Sequence, residues 1–277
     1  MGTDVPTVLI AGCGDLGQRV GRLLVASGQR VLGLRRQPIG LPIGIEALAV
    51  DLAAAVPSLP AADQVVFCAA PDAGDPAAYR HVYETGWGNL LSALSGARRP
   101  PQRVLLVTST RPYAQQGGEW VDEDSPVSPQ DAQAEALLQA EALLRDSGLP
   151  GLVLRPAGLY GAGEGRLLHS LREGRATVPS GPPRWSNRMH RDDAARAIVH
   201  LLGLAQPART YLGVDCAPTD HGALLRELAG WVGAPPPRIT ETPGVGPNRR
   251  CSNARLLASG FRFKYPTWRE GYRALLG

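Results

Sequence analysis

Near its start the chain runs four apolar residues, Val8-Leu9-Ile10-Ala11, directly into Gly12-Cys13-Gly14-Asp15-Leu16-Gly17 and then into an amphipathic stretch from Gln18 to Ala26. A strand, a turn with glycines at the first, third and sixth positions, and a helix form the opening of a βαβ unit. Each glycine has a physical task in that geometry. Gly12 permits the tight turn, Gly14 leaves room for a ligand against the backbone, and Gly17 lets the helix pack closely on the strand. With Asp15 and Leu16 between them, the first amides of the helix face an anion, and the pyrophosphate of a dinucleotide fits that description.

The pattern continues beyond the turn. Short apolar runs at Thr7 to Ile10, Arg30 to Leu34, Ala47 to Val50, Gln64 to Phe67, Arg103 to Val107 and Gly151 to Leu154 read as strands, most of them buried on both faces. Helical spacing between them marks Gln18 to Ala26, His81 to Leu94 and Ala132 to Leu144. Alternation of this kind predicts an α/β fold, a Rossmann-type doubly wound parallel sheet. After about residue 155 glycine and proline become frequent and the expected helices shorten to Arg191 to Leu204, Gly222 to Val232, Ala254 to Leu257 and Thr267 to Leu275. The expected organisation is therefore a dinucleotide-binding domain over residues 1–155 and a smaller C-terminal, mostly substrate-capping part over 156–277, with some elements returning to the sheet. Ser180 to Arg184 and Gly233 to Asn248 read as ordered connectors.

The end of the second strand bears on the choice of cofactor. NAD-binding folds place an acid there to hold the ribose hydroxyls, whereas this chain has Arg35 and Arg36. Guanidinium groups pair bidentately with a 2′-phosphate, so NADP is expected in preference to NAD. Solvated surface arginines are the alternative reading in so arginine-rich a chain. Asp51 and Leu52, just after the third strand, are placed for the adenine edge, and Ala69-Ala70-Pro71 forms a small-residue turn beneath the cofactor.

Several segments in order resemble the extended short-chain dehydrogenase/reductase superfamily, which includes NAD-dependent epimerases and dehydratases. They are the glycine turn, Val107-Thr108-Ser109-Thr110-Arg111-Pro112-Tyr113, Leu154-Arg155-Pro156-Ala157-Gly158-Leu159-Tyr160-Gly161, and His190-Arg191-Asp192-Asp193-Ala194. The resemblance implies cofactor contacts from Thr108 and Pro156 and a substrate hydrogen bond from Ser109, for which the alternative is a turn-capping serine. It also brings Tyr113, Tyr160 and His190 nearest to the reaction as proton donors, against the plainer reading of packed tyrosines and a helix-start histidine. Members carry a Tyr-x-x-x-Lys pair on one helix face, the lysine lowering the tyrosine pKa. The corresponding positions here hold Gln133 and Leu137, which matches an atypical branch that keeps the cofactor site and loses catalytic residues.

Composition narrows the remaining classes. The 29 basic residues include a single lysine, Lys264, and the arginines are scattered, so the formal charge of +4 is no nucleic-acid footprint. Aromatic residues, at 5%, form no base-stacking series. No apolar run approaches a membrane span, and the first residues lack a secretory leader's basic start, so a soluble, cytoplasmic protein is expected. Four separate cysteines and five histidines show no ligand spacing, and no metal site is expected. Two functions remain open: an NADP-dependent oxidoreductase or epimerase-like enzyme acting on a small molecule, and a non-catalytic NADP(H)-binding sensor or scaffold. A homodimer through the helices His81 to Leu94 and Ala132 to Leu144 is a further implication of the resemblance.

Overall fold

The computed structural model describes residues 5–54, 58–161, 163 and 165–277. The Met-Gly start, a weak lookalike of an acylation signal in the sequence, lies outside them. In chain order the elements are β1 (Thr7–Ala11), α1 (Asp15–Ala26), β2 (Arg30–Arg35), β3 (Ile45–Ala49), β4 (Gln64–Phe67), α2 (Pro76–Arg80), a π-helical turn (His81–Gly86), α3 (Trp87–Ser95) and β5 (Arg103–Val107). Then come β6 (Glu119–Val121), α4 (Ala132–Asp146), β7 (Gly151–Pro156), β8 (Gly158–Tyr160), α5 (Gly165–Arg172), β9 (Thr177–Ser180), β10 (Trp185–Ser186), β11 (Arg188–His190) and α6 (Arg191–Gly203). The chain ends with β12 (Thr210–Gly213), β13 (Thr219–Asp220), α7 (His221–Val232), β14 (Arg238–Pro243), β15 (Arg249–Cys251), α8 (Ala254–Ala258) and α9 (Trp268–Leu276).

Two compact units divide the chain. The first comprises residues 1–112, 129–155 and 194–211, and the second residues 113–128, 156–193 and 212–277. The first unit is built on a seven-stranded sheet in the order β12-β7-β5-β4-β1-β2-β3. Its central pairs are parallel, with Ala11 opposite both Leu34 and Phe67, Phe67 opposite Leu106, and Leu106 opposite Val153. The fold is thus the expected α/β, Rossmann-type doubly wound sheet. Period-two alternation decides the faces: Leu9, Val65, Phe67, Leu106 and Val153 pack in one cluster with Trp87, Leu90, Leu137 and Ala140 of the α3 and α4 side. Ile10 lies on the other face, where α1 approaches so closely that a Cβ at Gly17 would press on it and one at Gly21 would collide with Ile45 of β3.

The π-helical turn joins α2 to α3 and is invisible in apolar spacing, because it changes hydrogen bonding without breaking the run of helix formers. Trp87, fully buried, donates its indole N–H to the Ala140 carbonyl at 2.9 Å and so locks α3 to α4. Arg103 donates to the carbonyls of Leu201, Leu202 and Leu204 at 3.2, 2.7 and 2.5 Å, closing the C-terminus of α6.

The second unit is a set of two-stranded ribbons, β8–β11, β10–β13, β9–β14 and β6–β15, with α5, α7, α8 and α9. The stretch Gly233 to Asn248, expected to be a connector, contributes β14, which runs parallel to β9. Leu168, Leu171, Leu224, Leu228, Trp268 and Tyr272 make one core, while Tyr113, Val121, Leu212, Val214 and Cys251 make another.

Candidate functional site

The register of the sheet brings one set of predicted residues to one edge. The carboxyl ends of β1, β2, β4 and β5 lie side by side, so Gly12 to Gly17, Arg35 and Arg36, Ala69 to Pro71, and Thr108 and Ser109 all follow strands at that edge. Strand order reverses there, since β1 has β2 on one side and β4 on the other, and doubly wound sheets bind ligands at such a switch point. Asp51 and Leu52 follow β3 at the same end.

Gly12 has φ +84°, and a Cβ on it would collide with the backbone of Ala69. Its amide and that of Cys13 both donate to the Leu34 carbonyl, at 3.2 and 3.1 Å, tying the turn to β2. Gly14, by contrast, has nothing within 4 Å of where a Cβ would stand. It is also the N-cap of α1, with no side chain capping the helix. Open space over a helix start whose amides no side chain claims suits the pyrophosphate of a dinucleotide. Asp15, the acid of this first turn, is engaged with Arg19 at 3.3 Å on the surface. Burial pushes the Cys13 thiol up to about 11 and also raises the Cys68 thiol, so both are protonated at neutral pH.

Arg35 and Arg36 are exposed at the end of β2. Arg36 pairs with Asp72 at 2.6 Å, and both side chains are largely in solvent, so the pair contributes about 0–1 kcal/mol and costs little to exchange for a stronger anion. The Asp51 carboxylate accepts from the Ala53 amide at 3.0 Å, forming a turn of its own, and Asn89 of α3 holds the same loop through the carbonyls of Leu52 and Ala54.

At the β5 end, Ser109 is half-buried and its Oγ accepts from the Arg111 amide at 3.2 Å, a turn-stabilising contact. Thr108 is buried and donates to Glu141 of α4 at 2.9 Å. Glu141 also receives Nε and Nη2 of Arg155, at 2.9 and 2.6 Å, with the two side chains only 8% and 11% exposed. Sequence reading passes over this charge pair, although Arg155 lies in a segment that carries the family resemblance. The positions that the resemblance assigns to the Tyr-Lys pair are otherwise employed. Gln133 donates to the Gly74 carbonyl at 2.8 Å, and Leu137 is buried in the core beside Leu106.

Tyr113, Pro156, Tyr160 and His190 belong to the second unit. Pro156 is buried at the end of β7. Tyr113, with no exposed surface, packs with Val121 and Cys251 in a different core from Tyr160. Tyr160 and His190 do meet: their rings lie edge to face at 5.2 Å, Tyr160 stacks on Tyr272 at 4.5 Å, and His190 leans on Tyr265 at 4.3 Å. Burial raises the Tyr160 hydroxyl well above a phenol's usual range, with Asp215 adding to the effect, so it is a weaker acid than an exposed tyrosine.

Two carboxyls in this unit carry no motif. Asp193 is fully buried and accepts from the amides of Lys264 and Tyr265 at 2.6 and 2.9 Å, a tether beyond the helix-dipole role that its position suggests. Asp215 is buried too, and burial pushes its carboxyl up to about 7 against the opposing amide of Ala217 and charge of Arg188. One of its oxygens, Oδ2, has no hydrogen-bond partner among the described residues.

A doubly wound sheet with an open glycine turn at its switch point defines a dinucleotide-binding protein of the Rossmann class. The NAD dependent epimerase/dehydratase family profile matches residues 8–212, and the chain belongs to that family. A solved structure from Methylobacillus flagellatus assigned to the NAD-dependent epimerases/dehydratases is 38% identical, with 99% of this chain and 98% of that one covered at a TM-score of 0.80. The human epimerase family protein SDR39U1, solved with NADPH, shares the fold at 21% identity and a TM-score of 0.80, covering 98% of this chain and 99% of its own. A 3-diazoavenalumate denitrifying reductase from Streptomyces sp is 29% identical over 202 residues, and the match spans 64% of either chain. No helix among the described residues is long and apolar enough to cross a membrane.

Proposed function

We propose that the protein is an NADP-dependent oxidoreductase acting on a small molecule, with an atypical catalytic site. The observation that carries this reading is the cradle at the β1–α1 turn, where Gly14 opens onto an uncapped helix start, next to two exposed arginines where an acid would select NAD. When bound, the nicotinamide group supplies or accepts a hydride. The chain's own part is to hold the pyrophosphate on the α1 amides and to offer Arg35 and Arg36 to the 2′-phosphate. Ala69 to Pro71, Asp51 and Leu52 border the same edge, and Ser109 directs a hydroxyl to a substrate oxygen. Family membership and the reductase relative support the redox class.

Proton delivery is the atypical part. With Gln133 and Leu137 in structural roles, the family's tyrosine–lysine pair is missing, Tyr113 is fully buried, and burial raises the Tyr160 hydroxyl so that it stays protonated near neutrality. His190, buried against Tyr160, or a water molecule is left as donor. The same observation favours a second reading, a cytoplasmic sensor or scaffold that binds NADP(H) without turnover.

Titration with NADPH and NADH, on the wild type and on Arg35→Asp/Arg36→Asp, tests the cofactor. The expected result is NADPH binding at least roughly tenfold tighter than NADH, with the preference lost in the variant, as charge-assisted contacts to a phosphate require. Equal affinity for the two cofactors overturns the NADP assignment. A substrate panel of carbonyls, imines and nucleotide sugars then separates the readings. Turnover supports the enzyme, and a flat panel with intact NADPH binding supports the sensor.

A further inference from the structure

Arg36 and Asp72 stand on opposite sides of one strand end. Leu34 of β2 and Phe67 of β4 both lie opposite Ala11, the last residue of β1, so the loops that follow β2 and β4 flank the glycine turn that continues β1. With neighbouring strands ~4.8 Å apart, β2 and β4 are separated by roughly 10 Å across β1. The Arg36–Asp72 pair, at 2.6 Å, joins the two loops and so spans the switch point at which a dinucleotide would lie.

The loop that carries Asp72 is anchored on both sides of it. Before it, Ala69 lies so near Gly12 that a Cβ on the glycine would collide with its backbone. After it, the Gly74 carbonyl accepts from Gln133 of α4 at 2.8 Å, and Asp75 caps α2 by accepting from the Ala78 amide at 2.9 Å. The Asp72 side chain itself is 75% exposed and makes no other hydrogen bond among the described residues. An exposed acid with a single partner contributes little to folding, and here that partner is one of the two arginines placed for a 2′-phosphate. Of the carboxylates that act on Arg36, Asp72 bears on it most strongly and Asp51 adds a smaller effect.

We infer that Asp72 is a specificity-determining residue, an internal stand-in for the 2′-phosphate that occupies Arg36 in the free protein and narrows the preference for NADPH over NADH. The inference rests on the assignment of NADP to this crevice. A carboxylate and a phosphate on one guanidinium repel each other, so Arg36 grips a phosphate bidentately only by letting Asp72 go. The exchange runs toward the phosphate, which carries close to two negative charges and three acceptor oxygens against the single charge of the carboxylate. What Arg36 gains is nonetheless reduced by the pair it gives up. NADH presents neutral ribose hydroxyls there and leaves the pair closed, so Asp72 weakens the binding of NADPH and not that of NADH.

Calorimetric titration of the full chain with NADPH, NADH and the nicotinamide-free probe adenosine 2′,5′-bisphosphate tests this. Asp72→Asn is expected to tighten NADPH and the bisphosphate by roughly three- to fivefold, the scale of one exposed ion pair, and to leave NADH unchanged. Asp72→Glu, which keeps the competing charge, is expected to stay near wild-type affinities, and in an Arg36→Gln background Asp72→Asn is expected to bring no gain. NADPH affinity unchanged or weakened in Asp72→Asn, an equal gain for NADH, or a full gain without Arg36 overturns the inference. The two readings fail differently. A wild type that binds NADPH no tighter than NADH removes the NADP assignment itself, whereas a clear wild-type preference that Asp72→Asn does not alter removes only the role of Asp72.

Discussion

Asp215 combines, in one side chain, burial, an orphaned oxygen and a raised pKa. Its Oδ1 accepts from the Ala217 amide at 3.0 Å, Oδ2 accepts nothing among the described residues, and only 2% of the residue is exposed. Removing a carboxylate from water without full hydrogen bonding favours the protonated form, which is why its pKa rises from 3.8 to about 7 despite Arg188. A carboxyl whose pKa is higher in the folded state stabilises the fold fully below the unfolded value and loses that contribution as pH rises through the folded one. The window for Asp215 therefore runs from about pH 4 to about pH 7. Asp215→Asn keeps an acceptor for Ala217 and cannot ionise. Its melting temperature is expected to match the wild type near pH 4 and to exceed it by about 3 °C or more at pH 8, on the scale of 2–4 °C per kcal/mol for a domain of this size. Melting curves that run parallel from pH 4 to pH 8 would show that the residue does not titrate in this range.

At the scale of elements, β5, β7 and α4 meet through one charge pair. Glu141 takes the hydroxyl of Thr108, just after β5, and two nitrogens of Arg155 from β7, almost without solvent. A buried pair of this kind contributes little against an apolar replacement, but losing one partner strands the other charge at a cost of about 3–5 kcal/mol. Glu141→Leu is expected to lower unfolding free energy by that amount in urea, and Glu141→Leu/Arg155→Met to recover most of it. Equal loss in the single and double variants would mean that the cost lies in packing rather than in the stranded guanidinium. This network also shows the limit of reading elements from sequence. Five of the six expected strands, β1, β2, β4, β5 and β7, were legible because burial on both faces leaves continuous apolar runs, while β3 is an edge strand, mostly exposed, whose expected start falls two residues late. The glycine turn was legible because backbone geometry demands glycine at Gly12, where φ is +84° and a Cβ meets Ala69. The ribbons of the second unit were not. Strands of two to four residues, such as β10 and β13, carry no periodicity, and partners far along the chain decide them. Glu141 and Asp215 escaped for the same reason, since a lone acid shows neither its burial nor its partners.

The state of the whole molecule turns on what its surface leaves uncovered. In α3 and α4 the large apolar residues Trp87, Leu90, Leu91, Leu94, Leu137 and Leu144 are spent inside the first unit's own core. What these helices turn outward is Ser92, Ser95, Glu135 and Gln139, with Leu138 and Ala142 partly exposed. The largest exposed apolar side chains, Ile39, Ile43, Trp120, Ile239 and Val245, lie on other elements. The homodimer that the family resemblance implies would therefore be built on a mixed, modestly apolar face, and obligate dimers bury larger and more apolar ones. We propose a dimer of this weaker kind through α3 and α4, one that forms at high concentration and separates on dilution. Sedimentation velocity over a dilution series through the micromolar range is expected to show a weight-average coefficient that falls toward the monomer value, with Leu138→Glu shifting the transition to higher concentration. A single monomer species throughout would remove the proposal, and a dimer indifferent to both dilution and Leu138→Glu would place the interface elsewhere. Because folding and association are linked by mass action, a weak dimer also predicts a melting temperature nearly independent of protein concentration, whereas an obligate one predicts a clear rise.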